Sequence, residues 1–446
     1  MRDRIAGGVE HRGVERPHVA ARRLGDFCQR DVIDVADSSH PAAGRRLLSG
    51  RRVPCGGQRR FLDLAAPPID FRSPNRLAWT SGFVEPPWEH RLATDMRSFE
   101  PRLESLRGIA ALIVAAHHGM SCLTAPPDTR VPLLSSAMDW ALWITNPGGA
   151  VMFFFVLSGY VLGQSLERKW DIMPFLVRRS LRILPAFVVS VLFAYVCVKH
   201  VRIDPPPADT TAFFQRQFWP VPTAYDLWDT LTFRSSAING PTWSIGPELV
   251  GSLFLPFLAL AHRHTPVSWQ WLLFVVVATI LAFTPYRLVV WFYCGFFLPP
   301  RIAAILPNWF ARAVTFAAGY VLLRYTSEFA VYYKFKTILP SSIGATLMIG
   351  AVVSSPGFMT WLTVAPLRFV GRVSYSFYLF HWSIFYLCAL ATLQSNALHG
   401  TVGNLTICAA AIGVTLVVSE ITYRFIELPG IDRGKRLLRR PQIASL

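Results

Sequence analysis

The chain has 446 residues, 52% of them hydrophobic and 16% charged, well below the roughly 25% charge of soluble domains, and its mean hydropathy is +0.36. That balance excludes water as its main solvent. The formal net charge of +17 is scattered between apolar runs rather than gathered on one polar domain, which excludes a nucleic-acid-binding module; loop topology and membrane lipid headgroups account for it.

Residues 1–95 are rich in Arg, Gly, Pro and Asp, contain no lysine and show no sustained apolar periodicity. They cannot bury much surface, and their acidic residues argue against a transit peptide. Met96 stands just before "EPRLESLRG", so the segment reads either as an extension upstream of a start at Met96 or as a disordered cytosolic tail.

From about residue 104 the chain is a succession of apolar runs long enough to cross a hydrocarbon core of about 30 Å as helices. Ten candidate spans follow, near 108–123, 149–165, 182–199, 243–261, 268–284, 287–300, 305–323, 340–355, 373–393 and 403–422. The expected fold class is an all-α transmembrane bundle of about ten helices over residues 96–430, with a basic cytosolic tail at 431–446. With the start of the first span cytosolic, most short-loop arginines also fall on the cytosolic side, and both termini are cytosolic. The long connection at 200–242 is then external, lying on the membrane surface or forming a lid.

The first span, "LESLRGIAALIVAAHHGM", carries the chemistry. Arg107 and His118 are eleven positions apart, about three helical turns, so they share a face and stand about 16 Å apart along the axis. Ala111, Val114 and Ser121 line the same stripe, and Ile109, Leu112, Ile113, Ala116 and Met120 the opposite one. His117 lies on a flank, but an ionisable side chain deep in a span is a functional candidate, and residue types alone leave both histidines open.

Further along, Ser158 in "FVLSGY" lacks the G-x-S-x-G elbow of a nucleophilic serine and reads as a helix-packing residue beside Gly159. Arg178, Arg179 and Arg182 have the bidentate geometry that suits phosphate, against the alternative of positive-inside anchoring. Glu248 lies about 7.5 Å along a helix from Trp243 and is either a carboxylate that orients a histidine or a buried partner of an arginine. His262 and His264 are spaced like a metal pair but lack a carboxylate, so no metal is expected; the seven cysteines show no CxxC pair, so neither is a disulfide framework.

These segments resemble, in order, the acyltransferase-3 family of integral-membrane acyltransferases, which includes bacterial polysaccharide O-acetylases, over roughly residues 100–430. The family's opening arginine, ten residues and histidine match Arg107 and His118, which favours the second histidine. "GGAVMFFFVLSGYVLG" resembles the second span with Met152 where an Asp is common; "FLVRRSLRILPAF" carries the R-x-x-R of Arg179 and Arg182; "PTWSIGPELVGSLFLPF" supplies Trp243 and Glu248, with Leu249 where a second acid can stand; and "FVGRVSYSFYLFHWSIF" ends in His381 and Trp382.

The resemblance implies a bacterial inner-membrane enzyme that moves an acyl group, acetyl first among the choices, from cytosolic acyl-CoA to a hydroxyl of a carbohydrate or glycosylated acceptor. It implies no permanently bound cofactor. His118 and Glu248 are the expected catalytic residues, Arg107, Arg179 and Arg182 the CoA contacts, and Trp243 and His381 the substrate contacts. Both direct transfer and an acyl-histidine relay fit. The rival reading, a transporter using the same polar stripe, expects inverted repeats, which the sequence does not display.

Overall fold

The computed structural model describes residues 100–122, 132–325, 335–395 and 400–437. The expectations for residues 1–95, for Met96 and for the last nine residues of the tail lie outside them.

Helix α1 (Pro101–Met120) starts where Pro101 takes the first helical turn and the Glu100 side chain accepts from Arg102 N. Both devices satisfy the start of a helix without an upstream turn. Two helices follow: α2 (Pro132–Ile144), and α3 (Pro147–Arg168), capped by Asn146. Then come α4 (Ile172–His200), the short α5 (Ala212–Phe218) and α6 (Ala224–Leu231), and a 3-10 turn at Gly240–Ser244 leading into α7 (Ile245–His264). The remainder is α8 (Gln270–Ala282), α9 (Val289–Ala304), α10 (Trp309–Tyr325), α11 (Phe335–Val353), α12 (Ala365–Ser395), α13 (Gly400–Thr422), a π-helical turn at Tyr423–Glu427 and α14 (Leu428–Leu437). No strand occurs among the described residues.

Each of the ten expected spans corresponds to one helix, and among the described residues five helical segments are long and apolar enough to cross a membrane. Three helices start seven or more residues early, α1 at Pro101 rather than 108 among them. α4 begins at Ile172, ten residues before the expected 182, and α12 begins at Ala365 rather than 373. Hydropathy falls where arginines begin, but those arginines continue the helix, and Arg179 and Arg372 ion-pair with Glu248 and Glu420. The connection expected between the second and third spans, 166–181, is therefore mostly the first part of α4, and the tail expected at 431–446 is helical through Leu437.

One buried cluster gathers residues of α1, α3, α9 and α11, another those of α1, α4, α5, α12 and α13, so α1 is shared by both. α1 and α12 run in extensive contact. Their backbones come close at Gly108 and Gly371, where a methyl group on Gly108 would stand 2.5 Å from Gly371 N and 2.9 Å from its Cα. Small residues at such a crossing let backbones touch.

Candidate active site

His118 and His381 each lie ten residues beyond the glycine of that crossing. Ten residues are about 15 Å and nearly three full turns, so two helices that touch at the glycines present the histidines to each other at the same level. The geometry bears this out: His118 Nδ1 is 2.8 Å from His381 Nε2, and the ring planes differ by 6°.

Hydrogen-bond accounting sets the tautomers. His381 Nδ1 is 2.8 Å from Tyr378 O, a carbonyl that only accepts, so Nδ1 carries the proton and the neutral ring presents Nε2 as an acceptor. His118 Nδ1 then donates to His381 Nε2, and Nε2 of His118 is the basic atom of the pair. His381 is wholly buried and His118 partly exposed. Trp382, 1% exposed, stands with its ring 4.8 Å from that of His118.

His117 points elsewhere. Thr145 Oγ1 donates to Ala141 O, so His117 Nε2 donates to Thr145 Oγ1 at 2.8 Å and ties α1 to the α2–α3 junction.

Toward the start of α1 lies a charged cluster. Arg107 donates from Nε to Ser374 Oγ at 2.8 Å and from a terminal nitrogen to Gly371 O at 3.0 Å. Arg179 ion-pairs with Glu248 and reaches Ser252 Oγ at 3.3 Å, and Ser158 Oγ donates to the same carboxylate at 3.4 Å. Arg107 and Arg182 share this electrostatic neighbourhood with Glu104, Glu248 and Glu427. Arg182 makes no direct hydrogen bond or ion pair among the described residues.

Of the two readings of Glu248 the structure shows the arginine partner: its carboxylate faces Arg179, and the ring beside His118 is that of His381. The physical reason is depth. Asn239, wholly buried, donates to Leu379 O at 2.9 Å, and Ser244 Oγ donates to Tyr378 OH at 3.2 Å. The turn before α7 thus dips into the bundle beside the His381 segment. α7 starts inside, within reach of an arginine seven residues into α4. Trp243, in that turn, packs edge-on against Phe155 of α3.

Sequence reasoning passed over Glu427 and the Ser374–Ser376 segment. Glu427 is 2% exposed, accepts from Ser376 Oγ, and sits on the π-helical turn. Such a turn inserts a residue and re-aims the side chains after it. Glu427 lies five residues beyond the expected last span at 403–422, so a search for acids within the spans does not find it. His262, the half of the HxH pair that lies deepest, is buried against Tyr293 OH at 2.5 Å.

A family model described as an acyltransferase domain matches residues 100–424. The chain is 23% identical over 381 residues to peptidoglycan O-acetyltransferase OatA of Listeria monocytogenes, covering 75% of this chain and 56% of that one. It is 26% identical over 338 residues to O-acetyltransferase OatA of Staphylococcus aureus, 66% of this chain and 54% of the relative. To acyltransferase MdmB of Streptomyces mycarofaciens it is 26% identical over 323 residues, 64% of this chain and 78% of that one. The chain spans little more than half the length of the two OatA relatives. No solved structure matches it at a significant level. The bundle, the paired histidines and a family match that covers most of the described residues lead to one conclusion: the chain belongs to the acyltransferase-3 family of membrane acyltransferases.

Proposed function

We propose that this protein transfers an acyl group, acetyl being the simplest, from acyl-CoA to a hydroxyl of a carbohydrate or glycosylated acceptor, with His118 as the base. The observation that carries the reading is the oriented His118–His381 pair, three turns along α1 from the arginine cluster. The OatA names of two relatives support an O-linked product and a glycan acceptor.

Acyl-CoA docks its phosphates at the end of the bundle holding Arg107, Arg179 and Arg182, which we assign to the cytosol. Arg182 is the least committed of the three and the first phosphate ligand; Arg179, held by Glu248, and Arg107, held by Ser374, frame the site. The thioester extends about 16 Å along α1 toward His118. An acceptor hydroxyl gives its proton to His118 Nε2 as its oxygen attacks the thioester carbonyl. The imidazolium is stabilised through Nδ1–H donation to His381, much as a carboxylate holds the histidine of a hydrolase triad. The C–S bond breaks, the leaving thiolate takes the proton back from His118, and an O-acyl ester and CoA result. His381 is thus a positioning residue, Glu248 acts by fixing Arg179, and Trp243 shapes the wall between cluster and histidines.

The test uses the full chain in nanodiscs with [14C]acetyl-CoA and an N-acetylglucosamine tetrasaccharide. Base-labile label on the sugar is expected from wild type and His117→Ala and is lost in His118→Ala. Equal transfer by His118→Ala refutes the assignment.

A further inference from the structure

Helix α5 carries three phenylalanines, and they divide sharply. Phe214 and Phe218 are 0% and 1% exposed, packed on Trp382 and Tyr386, and they hold the helix down. Phe213 is 41% exposed, yet its ring lies 6.2 Å from that of His118 and 5.5 Å from that of Trp382.

Its position is fixed. Thr211, which caps α5 by accepting from Phe214 N at 3.2 Å, donates its hydroxyl to Ser121 O at 2.6 Å and its backbone N–H to Cys122 O at 3.1 Å. Those carbonyls end α1 one turn beyond His118. Two hydrogen bonds therefore lock the base and the exposed ring into one frame.

Core packing does not explain a ring left this open. Membrane-interface anchoring does not either: that role favours aromatics with a polar tip, which Tyr225 and Trp228 of α6, 67% and 59% exposed, carry and Phe213 does not. An aromatic ring with an open face beside a partly exposed base suits a ligand that offers it C–H groups, since the ring face is electron-rich.

We propose that Phe213 is the platform for the acceptor sugar: the C–H face of a pyranose stacks on the phenyl ring, which aims one of its hydroxyls at His118 Nε2. This rests on the carbohydrate acceptor proposed above. Phe213 is a specificity residue for the acceptor, separate from acyl-CoA docking.

The experiment measures steady-state transfer from [14C]acetyl-CoA to the N-acetylglucosamine tetrasaccharide by the full chain in nanodiscs, as wild type, Phe213→Leu, Phe213→Ala and Phe213→Trp. Loss of one aromatic contact corresponds to about a tenfold rise in acceptor KM for the Leu and Ala variants. Phe213→Trp is expected to hold KM at or below the wild-type value. In all variants the acetyl-CoA KM stays within about twofold. Phe213→Leu with a wild-type acceptor KM overturns the platform, as does a parallel change in acetyl-CoA KM, the mark of a merely structural role. Acetyl-CoA cleaved by wild type with no label on the sugar overturns the carbohydrate reading and the platform together; labelled sugar indifferent to residue 213 overturns the platform alone.

Discussion

Gly108→Ala probes how the fold builds the histidine pair. The new methyl group stands 2.5 Å from Gly371 N, where ordinary contacts begin at about 3.5 Å. The backbones of α1 and α12 must therefore part by about 1 Å. Both histidines sit on those helices about 15 Å farther on, so a rigid separation carries the 2.8 Å bond to about 3.8 Å, beyond hydrogen-bond range. The overpacking costs about 1–3 kcal/mol of stability, and a 1 Å displacement of an oriented group costs about 100-fold in turnover. Gly413 is the control, because nothing lies within 4 Å of a methyl group placed there; Gly413→Ala is expected to keep full activity and gain up to about 1 kcal/mol from helix propensity. The assay pairs thermal unfolding in detergent with acetyl transfer in nanodiscs. Wild-type turnover in Gly108→Ala would falsify the claim that the glycine crossing sets the pair.

His381→Ala is expected to lower kcat by about 10²–10⁴-fold with the acetyl-CoA KM unchanged, and His381→Gln, which keeps an acceptor, to retain part of the rate; equal losses in both variants refute a positioning role. Glu248→Gln leaves Arg179 without its partner, and since the two side chains are 11% and 19% exposed, breaking the pair is expected to cost about 2–4 kcal/mol, read as a fall in Tm. The double variant Arg179→Met, Glu248→Leu regains most of that Tm but binds acetyl-CoA poorly, which separates the pair's structural effect from its ligand. Arg182→Ala raises the acetyl-CoA KM and leaves the acceptor KM alone; salt is expected to weaken CoA binding in wild type more steeply than in the variant.

What was legible in the sequence was what depends on one helix at a time. Ten helices follow from hydropathy, and the shared face of Arg107 and His118 follows from the 3.6-residue period. The partner of His118 was not legible, because it depends on a contact between residues 263 positions apart. A signal did exist in retrospect: the spacing from Gly108 to His118 recurs from Gly371 to His381. Which arginine Glu248 pairs with was hidden for another reason. Span counting puts every connection at a membrane face, whereas the turn at Gly240–Ser244 enters the bundle and spends its polar groups on α12. Glu427 escaped because a helical wheel has no place for a π-helical turn.

The two ends of the proposed reaction path solve the same electrostatic problem differently. Isolated charges are costly away from water, and a base flanked by a carboxylate would require one beside His118. With both rings neutral, one histidine is fixed by a carbonyl and the other by the first, and charge appears only when His118 takes a proton. Near the arginines, where a polyanionic donor would dock, permanent charge is unavoidable, and Glu104, Glu248 and Glu427 stand within reach of Arg107, Arg179 and Arg182. Such carboxylates keep the guanidinium groups in place before an anion arrives, at the expense of some repulsion once it does. Removing Glu427, which bonds Ser376 rather than an arginine, therefore has a definite sign. Glu427→Gln preserves the Ser376 hydrogen bond, removes one negative charge near Arg107 and Arg182, and is expected to lower the acetyl-CoA KM; a raised KM would mean that Glu427 positions the arginines instead of merely offsetting their charge.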